Sequence, residues 1–532
     1  MTGHLPATAR RRSRLPWPSG GRAALAGALV ALASITAIAA IAATAAAPPA
    51  TAVPPRPPAP QPMRELRFPA FEQRTLPNGL RLVAIERHGE PEVSLQLMLP
   101  AGKLYEPAGK AGLASATASL LTQGTASRSA QQIAAAIDGV GGSLDASSSA
   151  DFAFVTASVT SDQLDLALEL LADVVLHPGF PAPEVERWRR KSLSSLELQR
   201  ANPAYLAEIA FQRLVYGTYP YGVPASGTPE SVRGLTRDDL AAFHRSHYLP
   251  NGAILAVVGD FRPDQALAGV ERVFGAWAKG AAPRPPALAL PAWQGRKVLV
   301  VDKPDAVQTQ IRVGQAALAY TDPDFFTATV YGTVLGGSSS GRLFKEIRIK
   351  RGLAYGAYCG FSEQLATGSF AARTSTKTAS TMEALRLTFD EIGGMAKAPV
   401  PAADLEEAKT YLNGAFPLEI ESAGEVAGRV LTTLGYGLGR EFLDSYRDRI
   451  AAVTAAAIQR FAATRIHPES SVVVLVGNAA AFGPELEKQL GRFETIPAAE
   501  LDPLAPDLRS HPGASGDRPP APRPGSGRGP GG

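Results

Sequence analysis

A chain of 532 residues, 45% hydrophobic and 19% charged, carries enough apolar side chains for several packed cores, which excludes a short peptide, a fibre and a wholly disordered protein. Its formal charge is +4, but five arginines (Arg10, Arg11, Arg12, Arg14, Arg22) precede residue 23, and +4 less those five leaves −1 for the remainder. A near-neutral body has no electrostatic footprint for nucleic acid, and a single cysteine, Cys359, cannot close an intramolecular disulfide.

The amino terminus has the layout of an export signal: a basic stretch through Arg22, an almost purely apolar run from Ala23 to Ala47, then Pro-rich sequence from Pro48 to Pro62. The apolar run is longer than the usual signal core, so an uncleaved membrane anchor through residues 23–47 competes with a cleaved signal. For cleavage, Ala50-Thr51-Ala52 is a better site than Ala45-Ala46-Ala47, which Pro48 follows directly. Arg10-Arg11-Arg12 reads as plain basic charge more readily than as a twin-arginine signal. Together with the Arg/Pro/Gly-rich tail, this composition points to a bacterial periplasmic or envelope protein, held at the inner membrane if the anchor is kept. The expected boundaries are a signal or anchor over 1–52, a Pro-rich linker over 53–67, a first domain over 68–279, a Pro/Ala-rich linker over 280–295, a second domain over 296–500 and a disordered tail over 501–532.

Within the first domain, Leu76-Pro77-Asn78-Gly79-Leu80 predicts a hairpin turn between strands Phe71–Arg74 and Arg81–Glu86. Val93–Leu99 alternates as a strand, Gly112–Leu121 and Ala130–Val140 have helical spacing, and Ser143–Ser148 with Phe152–Ser158 form a second hairpin. Leu164–Val175 and Pro183–Gln199 are further helices. The second domain repeats the theme with strand Gln310–Gly314, helices Phe325–Leu335 and Arg342–Lys350, strands Ala354–Phe361 and Gly368–Ser375, and helices Thr381–Met395 and Ala403–Phe416. Phe243–Pro250 followed by Ala253–Asp260 aligns without gaps, 218 residues on, with Phe461–Pro468 followed by Ser471–Asn478. That repeat signals a duplicated domain, and the fold class expected is α+β: two homologous halves, each an antiparallel-rich sheet covered by helices, forming a clamshell around a chamber.

An ordered set of phrases then resembles the pitrilysin/insulinase family of zinc metallopeptidases, especially its two-halved, mitochondrial-processing-type members. These are Leu76–Leu80, Ala101–Pro107 (AGKLYEP), Gly112-Leu113-Ala114, Gln123-Gly124-Thr125, Gly227–Val232 (GTPESV) and Pro250-Asn251-Gly252. In the second half, Ser340–Phe344 (SGRLF) leads into Arg351–Tyr355 (RGLAY). The resemblance spans about Phe68 to Leu490.

Active members carry His-x-x-Glu-His on the helix after the Gly-Leu-Ala phrase, two histidines binding Zn²⁺ and the glutamate activating its water, with a later glutamate completing the ligands. Here the matching positions are Ser115, Ala118 and Ser119, and the later ligand falls on Ser195; Glu197 faces elsewhere on its helix. Serine hydroxyls are poor Zn²⁺ ligands and alanine cannot move a proton, so no metal is expected in this chain. The resemblance places the family's second element, an Arg and a Tyr that hydrogen-bond the substrate carbonyl, at Arg351 and Tyr355. Taken alone, R-x-x-x-Y is better explained by an arginine capping a helix and a tyrosine filling a strand face.

Loss of one half-site beside retention of the other implies, by resemblance, the zinc-free subunit of a heteromeric metallopeptidase. Zinc would then belong to a partner subunit of the same family, and the substrate would be a peptide or unfolded polypeptide. A peptide-binding or assembly protein without proteolytic role is the alternative; an active metalloendopeptidase with unrecognised ligands is a weaker third. His244 and His247, spaced i, i+3, read as partly exposed helix-end histidines before a metal pair, and Gly336–Gly341 as a mobile glycine-rich loop before a phosphate cradle, since it lacks the lysine of a P-loop. Ser115 and Ser119 have no evident base to make them nucleophiles. Cys359 is expected to be buried and inert, and the basic runs Lys350-Arg351 and Arg187–Lys191 to be solvated faces.

Overall fold

The computed structural model describes residues 68–292 and 295–510; the export segment, the first linker and the end of the tail lie outside the described residues. Among the described residues, no helix is long and apolar enough to cross a membrane.

The first half contains strands β1 (Glu72–Thr75), β2 (Arg81–Glu86) and β3 (Glu92–Leu99), helices α1 (Leu113–Leu120) and α2 (Ala130–Asp138), and strands β4 (Ser143–Ser148) and β5 (Ala153–Thr160). Helices α3 (Leu164–Leu176), α4 (Ala182–Ala201), α5 (Pro203–Tyr216) and α6 (Arg237–His247) follow, then β6 (Ile254–Gly259) and α7 (Pro263–Phe274). The second half has β7 (Lys297–Asp302), β8 (Gln308–Ala316), α8 (Phe325–Gly332), β9 (Ala354–Ser362), β10 (Ser369–Lys377), α9 (Thr381–Lys397) and α10 (Ala402–Ala415). It ends with α11 (Ala423–Gly435), α12 (Ala455–Arg465), β11 (Val472–Gly477), α13 (Ala479–Leu490) and β12 (Glu494–Pro497).

The β1–β2 turn forms as the sequence expects. Gly79 takes φ +91, the left-handed conformation a tight turn needs, while Asn78 accepts from the Leu80 N–H at 3.1 Å and donates to the Phe274 carbonyl at 2.7 Å.

Each half has a six-stranded sheet, ordered β1-β2-β6-β3-β5-β4 and β12-β7-β11-β8-β10-β9. Five positions correspond through the duplication; the sixth is filled from opposite ends of the chain. β1 runs antiparallel to β2, whereas β12 runs parallel to β7. The repeated Val-Gly strands β6 and β11 occupy equivalent interior positions, and every residue in both is buried. A strand buried on both faces must be apolar throughout, which is why neither alternates polar and apolar residues.

Two helices that no motif predicted tie the halves together. α5, in the first half, packs on β8 and β11 of the second sheet, and α11, in the second half, packs on β3 and β6 of the first. The duplication therefore exchanges one helix each way. Leu206, Phe211 and Leu214 of α5 share a core with Leu299, Val301, Val472 and Val474. Val426, Val430 and Leu431 of α11 share another with Val83, Ile85, Ile254 and Val258. Each such fully buried aliphatic side chain contributes about 1.5–3 kcal/mol, so the halves cannot part without exposing both sheets. The space between the sheets at these faces is filled by the exchanged helices.

Polar contacts fix the angle of this joint. Asp151, 1% exposed, accepts from Tyr436 Oη at 2.8 Å and from the Leu365 N–H at 3.1 Å, both in the second half, and from Tyr221 Oη. Tyr436 also stacks on Tyr320, ring centroids 4.4 Å apart. Arg87 donates to the Glu421 carbonyl at 2.8 Å, and Gln96 to the Gly424 carbonyl at 2.9 Å.

Three expectations need correction. The helix expected over Phe325–Leu335 ends at Gly332 and passes into a wider π turn, Thr333–Gly337. The stretch expected as helix Arg342–Lys350 is another π segment, Phe344–Lys350. The tail expected to be disordered from 501 is packed through 510: Leu501 and Leu508 are buried in the α5 core, Ala505 is buried as well, and Arg213 donates to the Ala505 carbonyl at 3.1 Å. Its proline content hid these three buried apolar residues.

The joint yields a stability prediction. Asp151→Ala leaves three buried donors without an acceptor and should lower unfolding free energy by about 3 kcal/mol or more, against about 1 kcal/mol for Tyr436→Phe. Equal, negligible losses in chemical denaturation would contradict this account of the joint.

Candidate functional site

The positions corresponding to the family's metal ligands converge in space. α1 is fixed at its start by Glu106, whose carboxyl oxygen accepts from the Ala114 N–H, one of the free donors of the helix's first turn, at 2.8 Å. Burial nevertheless pushes Glu106 up to about 8, against those backbone donors. Along α1 the i, i+4 pair Ser115 and Ser119 lies on one face, Ser115 half-buried and Ser119 exposed, while Ala118 is fully buried. α4 runs alongside, and its successive i+4 positions Arg187, Lys191, Ser195 and Gln199 form a stripe.

Between the two helices is a cavity of about 390 Å³, lined among others by Ser115, Ser119, Arg187, Trp188, Lys191 and Ser195. Gln199 donates to Ser195 Oγ at 3.2 Å, and Arg187 pairs with Glu184, also in the lining, at 3.1 Å. Glu197 is exposed and does not line the cavity.

This donor set does not fit Zn²⁺. Three hydroxyls replace imidazole and carboxylate, and a guanidinium and an ammonium supply positive charge where a cation would sit. Among the described residues, no group of three or more His, Cys, Asp or Glu is arranged to hold a metal ion. The run Arg187–Lys191, expected as a solvated face, instead places Arg187, Trp188 and Lys191 in this lining. Stepping back from Ser195 by four and eight reaches Lys191 and Arg187, so helical spacing held the signal.

Arg351 and Tyr355 are elsewhere. Arg351 follows the π segment Phe344–Lys350 and pairs with Glu346 and Glu383, each at 3.2 Å. Tyr355 opens β9, the edge strand, and is 87% exposed, with the Arg348 guanidinium 4.4 Å from its ring centroid. Neither residue lines the α1–α4 cavity.

The remaining candidates serve the fold. His244 Nε2 lies 2.8 Å from the Val175 carbonyl and the ring stacks on Tyr248, while His247 stacks on Phe243 at 4.2 Å. Both histidines are half-buried and packed, not presented to solvent as a pair. In the glycine-rich loop, a Cβ at Gly336 would meet the Cys359 nitrogen at 2.8 Å and one at Gly341 would meet Gly336 Cα at 2.7 Å. Close backbone approach explains those glycines. Cys359 is buried, and burial pushes its thiol up. The run Arg187–Lys191 is not simply a solvated face: Arg189 donates to the Arg233 and Leu235 carbonyls at 2.9 and 2.8 Å, closing a short helix.

Burial drives His244 down to about 4 despite its bond to the Val175 carbonyl. Below its ordinary value near 6.5 the unfolded chain takes up a proton that the folded chain refuses, so this residue costs stability as pH falls from 6.5 toward 4. Comparing denaturation of the native chain with His244→Gln across that window should show a smaller acid loss in the variant; parallel curves would contradict it.

Residues 81–225 match the family model described as insulinase (peptidase family M16), and residues 234–412 match that described as the peptidase M16 inactive domain. An uncharacterized zinc protease of Mycobacterium leprae is 32% identical over 368 residues, which cover 68% of this chain and 82% of the relative. An uncharacterized zinc protease of Bacillus subtilis is 26% identical, over 67% of this chain and 86% of the relative. Among solved structures, a peptidase M16 inactive domain from Pseudomonas fluorescens superposes with TM-score 0.72 at 26% identity, covering 77% of this chain and 98% of that one. A chain of complex III from Candida albicans shares the fold, with TM-score 0.66 at 16% identity over 78% of this chain and 97% of its own. With both halves matched in order, the chain belongs to the insulinase (M16) peptidase family.

Proposed function

We propose that this chain is a zinc-free subunit of an envelope metallopeptidase, supplying Arg351, Tyr355 and part of the chamber wall to a zinc-bearing partner of the same family that hydrolyses peptides. The observation that carries the reading is the separation of the two elements: a cavity without metal donors on α1 and α4, and an arginine–tyrosine pair outside that cavity. A pair set outside its own chain's cavity is placed to serve the site of another chain.

The surface around the pair supports this. Gln308 of β8 is in register with Lys377 of β10, and Ala354 of β9 with Thr376, so Val307 and Tyr355 lie at the same end of the second sheet. Val307, Ile349 and Tyr355 are 83%, 65% and 87% exposed, apolar surface of the kind a partner covers. A guanidinium and a phenol aimed at a developing oxyanion are the kind of donors that stabilise acyl transfer. Export and an envelope location form part of the proposal and rest on the composition of the first 62 residues.

A peptide-binding or assembly role is the second reading. It is favoured by the two carboxylates that already hold Arg351, since a donor engaged by Glu346 and Glu383 must exchange one of them to reach a substrate.

The test is hydrolysis of a quenched fluorescent peptide library by this chain, by a zinc-motif homologue encoded beside it, and by an equimolar mixture. Activity is expected only in the mixture, lost with chelator, and lowered about 10²–10³-fold by Arg351→Ala, with a smaller loss for Tyr355→Phe. A mixture indifferent to Arg351→Ala would remove the basis of the proposal, and silence of all three samples would favour the binding role.

A further inference from the structure

The α1–α4 cavity has kept its place and lost its ligands, and its lining has a chemistry of its own. On α1, Thr117 turns its hydroxyl back to the Leu113 carbonyl at 2.8 Å, as helical hydroxyls commonly do. Ser115 and Ser119, on the cavity side of the same helix, make no such bond, and neither does Ser192 opposite them on α4. Lys191 forms no ion pair among the described residues. The only carboxylate in the lining, Glu184, is held by Arg187 at 3.1 Å. The cavity thus offers hydroxyl donors and one ammonium in excess of its acids.

We infer that this cavity is a carboxylate-binding pocket for a peptide, with Lys191 as the charged partner and Ser115, Ser119 and Ser192 as hydrogen-bond donors. A divalent cation is repelled by Lys191 and finds there one carboxylate, Glu184, already paired with Arg187. A carboxylate is neutralised by it and accepts up to four hydrogen bonds, so hydroxyls and an ammonium suit its oxygens. Trp188, Leu120 and Leu196 add apolar surface to the lining, and the volume of about 390 Å³ suits one or two side chains. The carboxylate is either an Asp or Glu side chain of the peptide or its free carboxyl terminus. The inference does not depend on a partner subunit, on zinc or on Arg351, so it and the proposed function fail separately.

Three dye-labelled nonapeptides, measured by fluorescence anisotropy against the mature chain in the presence of chelator, test it. One carries two Glu and an amidated end, one has no acid but a free carboxyl terminus, and one is uncharged and amidated. At least one carboxylate-bearing probe should bind about tenfold or more tightly than the neutral one, and which of them does so identifies the source. Lys191→Glu should weaken that binding by at least about tenfold, Lys191→Arg should largely retain it, and added salt should weaken it. Lys191 is exposed, so these variants leave the core untouched. Equal binding of all three probes, no binding up to millimolar concentration, or indifference to Lys191→Glu would overturn the inference.

Discussion

The exchange of α5 and α11 is the constraint on which the rest of this molecule depends. The central strands of each sheet are buried on both faces because the other half lends them a helix, so neither half completes its core alone. The buried carboxylate of Asp151, shared by Tyr221, Tyr436 and the Leu365 N–H, then sets how the two meet. Duplication alone would give two domains on a tether; exchange makes one rigid body of them.

That rigidity decides what the chain can do. α4 leads through Asn202, whose side chain accepts from the Ala204 N–H at 2.9 Å, directly into the exchanged helix α5. The cavity helix is therefore anchored to the joint, and α1 is anchored by Glu106 at its start. At the positions that match the family's metal ligands a cavity remains, lined by hydroxyls and positive charge. A scaffold that keeps a pocket while inverting its electrostatics is suited to binding anionic groups and unsuited to metal hydrolysis.

Much of this was legible in the sequence. The Asn78-Gly79 turn and the paired Val-Gly strands follow from local rules, and the family phrases single out Ser115, Ala118, Ser119 and Ser195. The exchanged helices were not legible, because α5 and α11 are apolar toward partners in the other half of the chain and carry no motif. The packed residues 501–510 were hidden by their prolines, and the cationic stripe Arg187–Lys191 by being read as surface charge. Periodicity tells which face of a helix is special. It does not tell what lies across from it.

Zinc content tests the central claim most directly, measured by elemental analysis on the purified mature chain beside a variant carrying Ser115→His, Ala118→Glu, Ser119→His and Ser195→Glu. The account predicts that the native chain holds well under one zinc per molecule while the variant, with an imidazole and carboxylate set restored between α1 and α4, gains it. One zinc per native chain, retained through gel filtration, would contradict it.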